Sequence, residues 1–357
     1  MSRTRLLVAF GGASSEHEVS LRSAASVLGA VDRRRFEPVA LGIDRDGRWH
    51  HGSLPDAPSP AQLATIVAKG EVLGDLRTLA ADLVFPVLHG PYGEDGTIQG
   101  LLELLGLPYV GSGVLASSLC MDKVAQKHLV ASAAPEVPLV PWLEITALAV
   151  ATSAGLAAAT EQILDTLGLP CFVKPVNLGS SVGVSRVQQA DQLGAALRGA
   201  ARYDHRVVVE AGIDAREIEI AVLGNGDAQT ELSAPGEIGL PPGVWYDYET
   251  KYVHDVATLH IPASLSPDTV DAIQTSALRA FQVTGCKGLA RIDFLLCRRT
   301  GTPYLNELNT MPGFTSISMY PKLMDHAGVP YPALITRLCE LALAHRTARR
   351  GLSNERD

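Results

Sequence analysis

The sequence predicts an α/β protein of more than one domain, opening on a parallel sheet covered by helices. Three observations carry that expectation. At 357 residues the chain exceeds a single typical core. Hydrophobic residues make up 46% and charged residues 19%, the balance of a folded enzyme rather than a disordered or fibrous chain. Near the N-terminus, short apolar runs alternate with stretches of helical spacing, the pattern of strands buried on both faces.

The elements follow in order. "RLLVAFGG" reads as a buried strand ending in a glycine turn, "SLRSAASVLGAV" as a helix, and "FEPVALGID" as a second strand. "ADLVFPVLHG" is a third strand, closing on His89-Gly90. Loops at the carboxyl ends of such strands are where ligands bind. Residues 44–78 read as an insertion of loop and short elements without assigned chemistry. A boundary is expected near "LCMDKVAQKHLVASAAPEVPLVPW", where a helix enters a proline-rich connection. A second unit then carries an alanine-rich helix over 147–167, strand "PCFVKPV", turn "NLGSSVG", strand "VSRV", a helix over 190–202 and strand "RVVVEAGI". The third unit begins near 212 with "REIEIAVLG", continues through a long polar connection over 224–258, and carries the pair "RIDFLL" and "YLNELN". The expected domains are therefore 1–120, 121–211 and 212–357. The charged stretch 346–357 reads as a frayed end.

A formal net charge of −8 argues against a nucleic-acid partner. The five cysteines are scattered, with no CxxC or Cys/His spacing, so neither a disulfide framework nor a zinc site is expected. "MSRTRLLVAFGG" holds too short an apolar run for a signal peptide, and nothing approaches the roughly 20 apolar residues of a membrane span. A cytoplasmic protein with no membrane partner is expected.

Several motifs carry possible chemistry. In "KPVNLGSSVG", Lys174 ends a strand and Gly179, Ser180, Ser181 and Gly183 form a flexible turn. Such a turn can offer N–H and hydroxyl donors to phosphate, or be a bare hairpin turn. It is neither a P-loop nor a dinucleotide fingerprint. Asp293 in "LARIDFLLC" and the Glu307/Asn309 pair in "YLNELNTMPG" sit on strands joined by "CRRTGTP", a hairpin. Residues two apart on a strand face one side, so two carboxylates and an amide would gather where magnesium takes its hard oxygen ligands. The alternative is an edge hairpin with a wet polar face, but the apolar neighbours Leu295, Leu305 and Leu308 make that costly. Arg291 shares the face of Asp293 and suits an oxyanion. In "NTMPGFTSIS", the Gly313 N–H could share that role and Ser316 or Ser318 could hold a carboxylate. "GGASSEHEVSL" carries Glu16 and Ser20, with Ser14 or Ser15 as candidate helix caps. In "HGPYGEDGTIQGLLE", Asp95 and Thr97 could cap a helix. Tyr246, Tyr248, Lys251 and Tyr252 stand in "VWYDYETKYVHD", readable as a covering loop or a solvated one.

Together "GGASSEHEVS", "HGPYGEDG", "MDK", "KPVNLGSSVGVS", "YDYETKY", "GCKGLARIDF" and "NELNTMPGFTSIS" resemble the D-alanine–D-alanine ligase family of ATP-grasp enzymes, in order and over nearly the whole chain. The resemblance implies three α/β domains with ATP gripped between the second and third. It implies phosphate contacts from Lys123 and Lys174 and an adenine-holding segment at Glu210, Ala211 and Ile213. Glu217 would bind ribose, Lys251 would join the nucleotide site, and Asp293, Glu307 and Asn309 would bind two Mg2+ ions, for which Mn2+ can substitute. Glu16 would bind the ammonium of a first D-alanine and form a hydrogen-bonded group with Ser180 and Tyr252. Ser318 and Met319 would form the second D-alanine's subsite, with His89 nearby. Arg291 and the Gly313 N–H would stabilise developing charge.

The implied reaction joins two D-alanine molecules through an acyl phosphate for peptidoglycan precursor synthesis, in an enzyme that is usually a homodimer. Lys251-Tyr252 favours a dipeptide, because D-lactate-using relatives generally lack that pair. His17 stands where many members have arginine, Ala211 where many have lysine, and Met319 where leucine is usual, which bears on fine substrate preference. The rival readings are a D-lactate or D-serine ligase, another ATP-grasp carboxylate–amine ligase, which would not need the Glu16–Ser180–Tyr252 set, and a nucleotide-dependent regulatory protein, which could lose Arg291 or Asn309.

Overall fold

A computed structural model describes residues 3–239 and 258–350. The chain begins with β1 (Thr4–Gly11), α1 (His17–Ala30), β2 (Phe36–Ile43), β3 (Trp49–His51), α2 (Pro60–Lys69), β4 (Glu71–Val72) and β5 (Leu83–Pro86). These strands form one sheet in the order β4-β3-β2-β1-β5. β1 runs parallel to both β2 and β5, as the apolar runs predict. Residues 44–78 prove to hold β3, α2 and β4, which extend that sheet antiparallel at one edge. Asp44 makes the turn: its Oδ1 accepts from the N–H groups of Asp46 and Arg48 at 2.9 and 2.8 Å.

Three helices follow: α3 (Thr97–Leu104), α4 (Val114–Met121) and α5 (Lys123–Ala133). Neither Asp95 nor Thr97 is the cap of α3, whose N-cap is Gly96; Asp95 instead accepts from Thr97 N at 2.9 Å and Tyr92 N at 2.8 Å in the turn before it. The second sheet is antiparallel, in the order β6-β9-β7-β8, from β6 (Trp142–Thr146), β7 (Cys171–Pro175), β8 (Ser185–Val187) and β9 (Arg206–Ala211). The expected helix over 147–167 is shorter. A 3-10 turn fills 149–151, then Thr152 caps α6 (Ser153–Thr166) by accepting from Gly155 N. The helix over 190–202 likewise divides into a 3-10 turn and α7 (Leu193–Ala200).

The third sheet holds β10 (Ala215–Gly224), β11 (Glu231–Leu232), β12 (Gly236–Gly239), β13 (Thr258–His260), β14 (Gly288–Cys297) and β15 (Pro303–Asn309). Its order is β13-β12-β10-β14-β15, with β11 on β10. The stretch from 224, read as a polar connection, thus contributes two short strands before residue 240. α8 (Pro267–Val283), α9 (Met319–His326) and α10 (Tyr331–Arg350) complete the helices among the described residues.

The cores cross these units. Val130 and Ala134 of α5 and its end pack with Phe281 of α8 against Ile220 and Ile292 of the third sheet. Tyr320, Leu323 and Leu334 of α9 and α10 pack with Leu6, Val8 and Phe85 of the first. Each such fully buried side chain contributes about 1.5–3 kcal/mol. The strand ends that carry polar groups are therefore held by shared cores. All five cysteines are buried free thiols.

Candidate active site

The site assembles where the three sheets meet. β1 ends in Gly11 and is followed by Gly12, at φ 94° and 92°. A Cβ on Gly11 would lie 2.2 Å from the Ile43 carbonyl oxygen, so only glycine fits the turn. The turn is stapled to the end of β5: Ser20 Oγ donates to the Val87 carbonyl and accepts from Gly11 N, and Ser14 Oγ donates to the His89 carbonyl at 2.7 Å. Neither Ser14 nor Ser15 is the helix cap. The N-cap residue of α1 is Glu16, whose side chain does not cap; Ser14 Oγ instead accepts from Glu16 N at 3.1 Å. Glu16 Oε1 accepts from Ser180 Oγ at 2.6 Å, across 164 residues of chain. A side chain at Gly90 would collide with Glu16 Oε2. Ser180 and Ser181 both adopt φ above 50°, an uncommon backbone for non-glycine residues, stored in the turn that meets Glu16.

His89 is buried behind this contact. Its Nδ1 lies 3.0 Å from the Met311 carbonyl oxygen and its Nε2 3.1 Å from Ser23 Oγ, with Glu94 Oε1 at 3.5 Å. Burial disfavours the charged ring, but the Glu94 carboxylate outweighs it and the His89 pKa rises. His17, in the position of the usual arginine, is buried with Nδ1 2.7 Å from the Gly12 carbonyl oxygen.

On the second sheet, Lys174 donates to Glu210 Oε2 at 2.5 Å, and Lys127 lies 2.8 Å from Glu210 Oε1. Burial alone would raise the Glu210 pKa, but the two ammonium groups hold it far below the usual carboxylate range. Burial likewise opposes the charge on Lys174, yet Glu210 raises its pKa. Lys123 donates to the Leu178 carbonyl at 2.6 Å, and burial depresses its pKa. Ala211 ends β9 and Ile213 lies on the short connection to β10, both half-buried between the second and third sheets.

The hairpin of β14 and β15 behaves as its sequence predicts. Asp293 pairs with Glu307 and Arg291 with Asn309, and a bulge follows Asp293. Glu219 of β10 stands opposite Asp293 on the other side. Arg291 binds Asp293 through two hydrogen bonds of 2.8 and 2.7 Å and reaches Glu219 at 3.0 Å. Asn309 Nδ2 donates to Asp293 at 3.0 Å. Among the described residues no three of His, Cys, Asp and Glu stand in metal-binding geometry, since Asp293 is turned onto Arg291. The donor set nevertheless fits a divalent cation. A hollow of about 30 Å³ is lined by Glu217, Glu219, Asp293 and Glu307; Arg291 pairs with Glu219 and Asp293, while the Lys174 charge acts on Glu307 and Glu217. Hard carboxylate oxygens gathered in this way suit Mg2+.

Beyond β15, Ser318 Oγ meets Thr315 Oγ1 at 2.8 Å and accepts from Thr315 N, with Gly313 beside it. The Met319 side chain is buried in the core against Gly236, leaving its backbone at the start of α9. Tyr246, Tyr248, Lys251 and Tyr252 lie outside the described residues. Sequence reasoning missed Lys127, Glu219 and Glu94. The signal for Lys127 was its place four residues after Lys123 on one helix, and for Glu219 its place two residues after Glu217 on one strand.

Two antiparallel sheets that turn lysines and carboxylates toward a shared cleft define the ATP-grasp class of enzymes. Residues 5–112 match the family described as D-ala D-ala ligase N-terminus, and residues 131–340 match D-ala D-ala ligase C-terminus. The chain belongs to the D-alanine–D-alanine ligase family. It is 48% identical to the D-alanine–D-alanine ligase of Deinococcus radiodurans, over 96% of this chain and all of the relative. It is 43% identical to that of Heliobacterium modesticaldum, over 100% of this chain and 99% of the relative. The D-alanine–D-alanine ligase structure from Coxiella burnetii superposes with TM-score 0.82 at 33% identity, covering 98% of this chain and 97% of its own. The VanG D-Ala:D-Ser ligase from Enterococcus faecalis gives 0.81 at 33% identity, covering 96% of this chain and 100% of its own.

Proposed function

We infer that the chain joins two D-alanine molecules into D-alanyl-D-alanine at the expense of ATP, for peptidoglycan precursor synthesis. One observation carries the reading: the 2.6 Å contact between Glu16 and Ser180 sets a carboxylate from the parallel-sheet domain against the turn that follows Lys174. An amino acid whose ammonium is held by Glu16 then has its own carboxylate directed toward the phosphate-binding lysines.

The first D-alanine carboxylate oxygen attacks the γ-phosphorus of ATP, releasing ADP and leaving an acyl phosphate. The amine of the second D-alanine attacks the acyl carbon, and the carbon–oxygen bond to phosphate breaks. Lys123, Lys174, Arg291 and the Gly313 N–H offset the charge that develops on oxygen. Glu210, Ala211 and Ile213 line the adenine segment, Glu217 takes the ribose, and Lys251 joins them. Asp293, Glu307 and Asn309 would hold two ions of Mg2+ or Mn2+, which neutralise polyphosphate charge when bound. Ser318, with the Met319 backbone, receives the second substrate's carboxylate. His89 ties the Met311 carbonyl to the Glu16 turn, and Tyr252 completes the Glu16–Ser180 group.

The reading divides the chain into domains at 1–120, 121–211 and 212–357. A homodimer is supported by the apolar side chains of Leu101, Leu104, Val114 and Leu115 exposed on α3 and α4. Among the described residues no helix is long and apolar enough to cross a membrane, and we assign the enzyme to the cytoplasm, where its ATP is made.

Removing the Ser180 hydroxyl breaks a hydrogen bond to a charged group, worth about 1.5–3 kcal/mol. Ser180→Ala is therefore expected to raise the KM for the first D-alanine by about tenfold to a hundredfold. Steady-state kinetics over a D-alanine series checks this. The function itself is tested by phosphate release from Mg-ATP with D-alanine, L-alanine, D-serine or D-lactate, with products identified by mass. D-alanine alone should give the dipeptide. Turnover requiring added D-serine or D-lactate would move the second substrate to that class, and no turnover with any of them would refute the reading.

A further inference from the structure

The buried cluster under the phosphate-binding lysines holds one more cation than the ligase reading uses. Glu210 is 3% exposed, and each of its oxygens faces a different ammonium: Oε2 faces Lys174 at 2.5 Å, and Oε1 faces Lys127 at 2.8 Å. The two lysines differ in freedom. The Lys174 side chain is 15% exposed and stands at the edge of the cleft, whereas that of Lys127 is 1% exposed. Lys127 Nζ, like Glu210 Oε1, makes no hydrogen bond among the described residues, so the ion pair between these two atoms is what compensates its charge. It is fixed by its helix, whose N-cap Asp122 accepts from Val124 N and Ala125 N and also pairs with Arg206 of β9.

We propose that Lys127 is a positioning residue, the permanent counter-ion of Glu210 that allows Lys174 to turn from Glu210 to the phosphates of ATP. The proposal rests on the reading of Lys174 as a phosphate contact. Lys174 cannot give its full charge to a phosphate while it alone neutralises a buried carboxylate, because a buried charge left uncompensated is strongly unfavourable. With Lys127 on the opposite oxygen, Glu210 stays compensated when Lys174 leaves. Without Lys127, Glu210 would keep Lys174 for itself. The cluster is thus a loaded rest position, in which the phosphate-binding lysine is stored ionised and aimed while the second lysine covers its departure.

The test compares Lys127→Met, Glu210→Gln, the double variant and Lys174→Met in the full-length enzyme. Phosphate release is followed over a Mg-ATP series at saturating D-alanine, and then over a D-alanine series. Lys127→Met is expected to raise the KM for ATP by at least about tenfold, with the KM for D-alanine moving less than about twofold. In the Glu210→Gln background the same change should cost less than about twofold, since no charge remains to be compensated. An equal cost in both backgrounds would overturn the proposal, because Lys127 would then act independently of Glu210. So would an unchanged KM for ATP in Lys127→Met. If Lys127→Met does not fold, the double variant should fold and bind ATP like Glu210→Gln; failure of both to fold refutes the compensation argument. Lys174→Met separates this from the ligase reading: an unaffected KM for ATP there removes the phosphate role of Lys174 itself.

Discussion

Replacing Arg291 by methionine should lower turnover by about 10²–10³-fold, the usual loss for one group that stabilises charge in a transition state. The geometry supports an effect of that size. Two hydrogen bonds to Asp293 and a 3.0 Å contact to Glu219 fix the guanidinium in a single orientation, with 19% of its side chain exposed. The same variant should lose stability when metal is absent. Glu219 and Asp293 stand opposite each other on neighbouring strands, and without Arg291 two largely buried carboxylates would face one another. That loss is roughly 3 kcal/mol, and excess Mg2+ should restore part of it by supplying positive charge to the same hollow. Single-turnover phosphate release and unfolding in EDTA or Mg2+ check both parts. A loss of tenfold or less in rate, with no metal-dependent stability change, would show that Arg291 is only a surface ion pair.

Phe314→Ala should cost about 3–5 kcal/mol of stability, because it empties the centre of an aromatic cluster. Phe314 is fully buried, its ring centroid 5.6 Å from Phe85, 5.9 Å from Tyr320 and 5.8 Å from Tyr331. Those rings come from β5, α9 and α10, so the cluster fastens the loop after β15 to the parallel sheet. Two backbone contacts reinforce it: the Tyr331 hydroxyl donates to the Phe314 carbonyl at 2.6 Å, and Phe314 N donates to Ser23 Oγ at 3.3 Å. Loosening that loop displaces Gly313 and Ser318, so the KM for the second D-alanine should rise at temperatures where the variant is still folded. Denaturant unfolding followed by tryptophan and amide signals measures the first effect. A cost below about 1 kcal/mol would mean that the loop is held by its hydrogen bonds alone.

What was legible in the sequence was what repeats locally. The hairpin of β14 and β15 announced itself because a period of two sorts Asp293, Glu307 and Asn309 onto one face, and pairing across the turn brings them together. The parallel start of the fold was visible in its apolar runs, and the glycine turns at Gly11 and Gly90 marked the strand ends that carry chemistry. Helix boundaries were less legible: 147–167 reads as one alanine-rich helix until the Thr152 cap divides it. Least visible were the partners supplied from afar. Glu16 meets Ser180 across 164 residues, and His89 meets the Met311 carbonyl across 222. Lys127, Glu219 and Glu94 look like ordinary surface charges on their own elements. Only the packing of α5 against the second sheet turns Lys127 inward, the pairing of β10 with β14 sets Glu219 opposite Asp293, and the loop before α3 carries Glu94 to His89.

The most direct test of the account follows oxygen. With purified enzyme, Mg-ATP and D-alanine labelled with ¹⁸O in both carboxylate oxygens, the phosphate released is analysed by mass. If the first D-alanine carboxylate attacks the γ-phosphorus and phosphate later leaves the acyl carbon, each phosphate carries one ¹⁸O atom. Unlabelled phosphate formed together with dipeptide would mean that the carboxylate never bonds to phosphorus, contradicting the role given to this cleft.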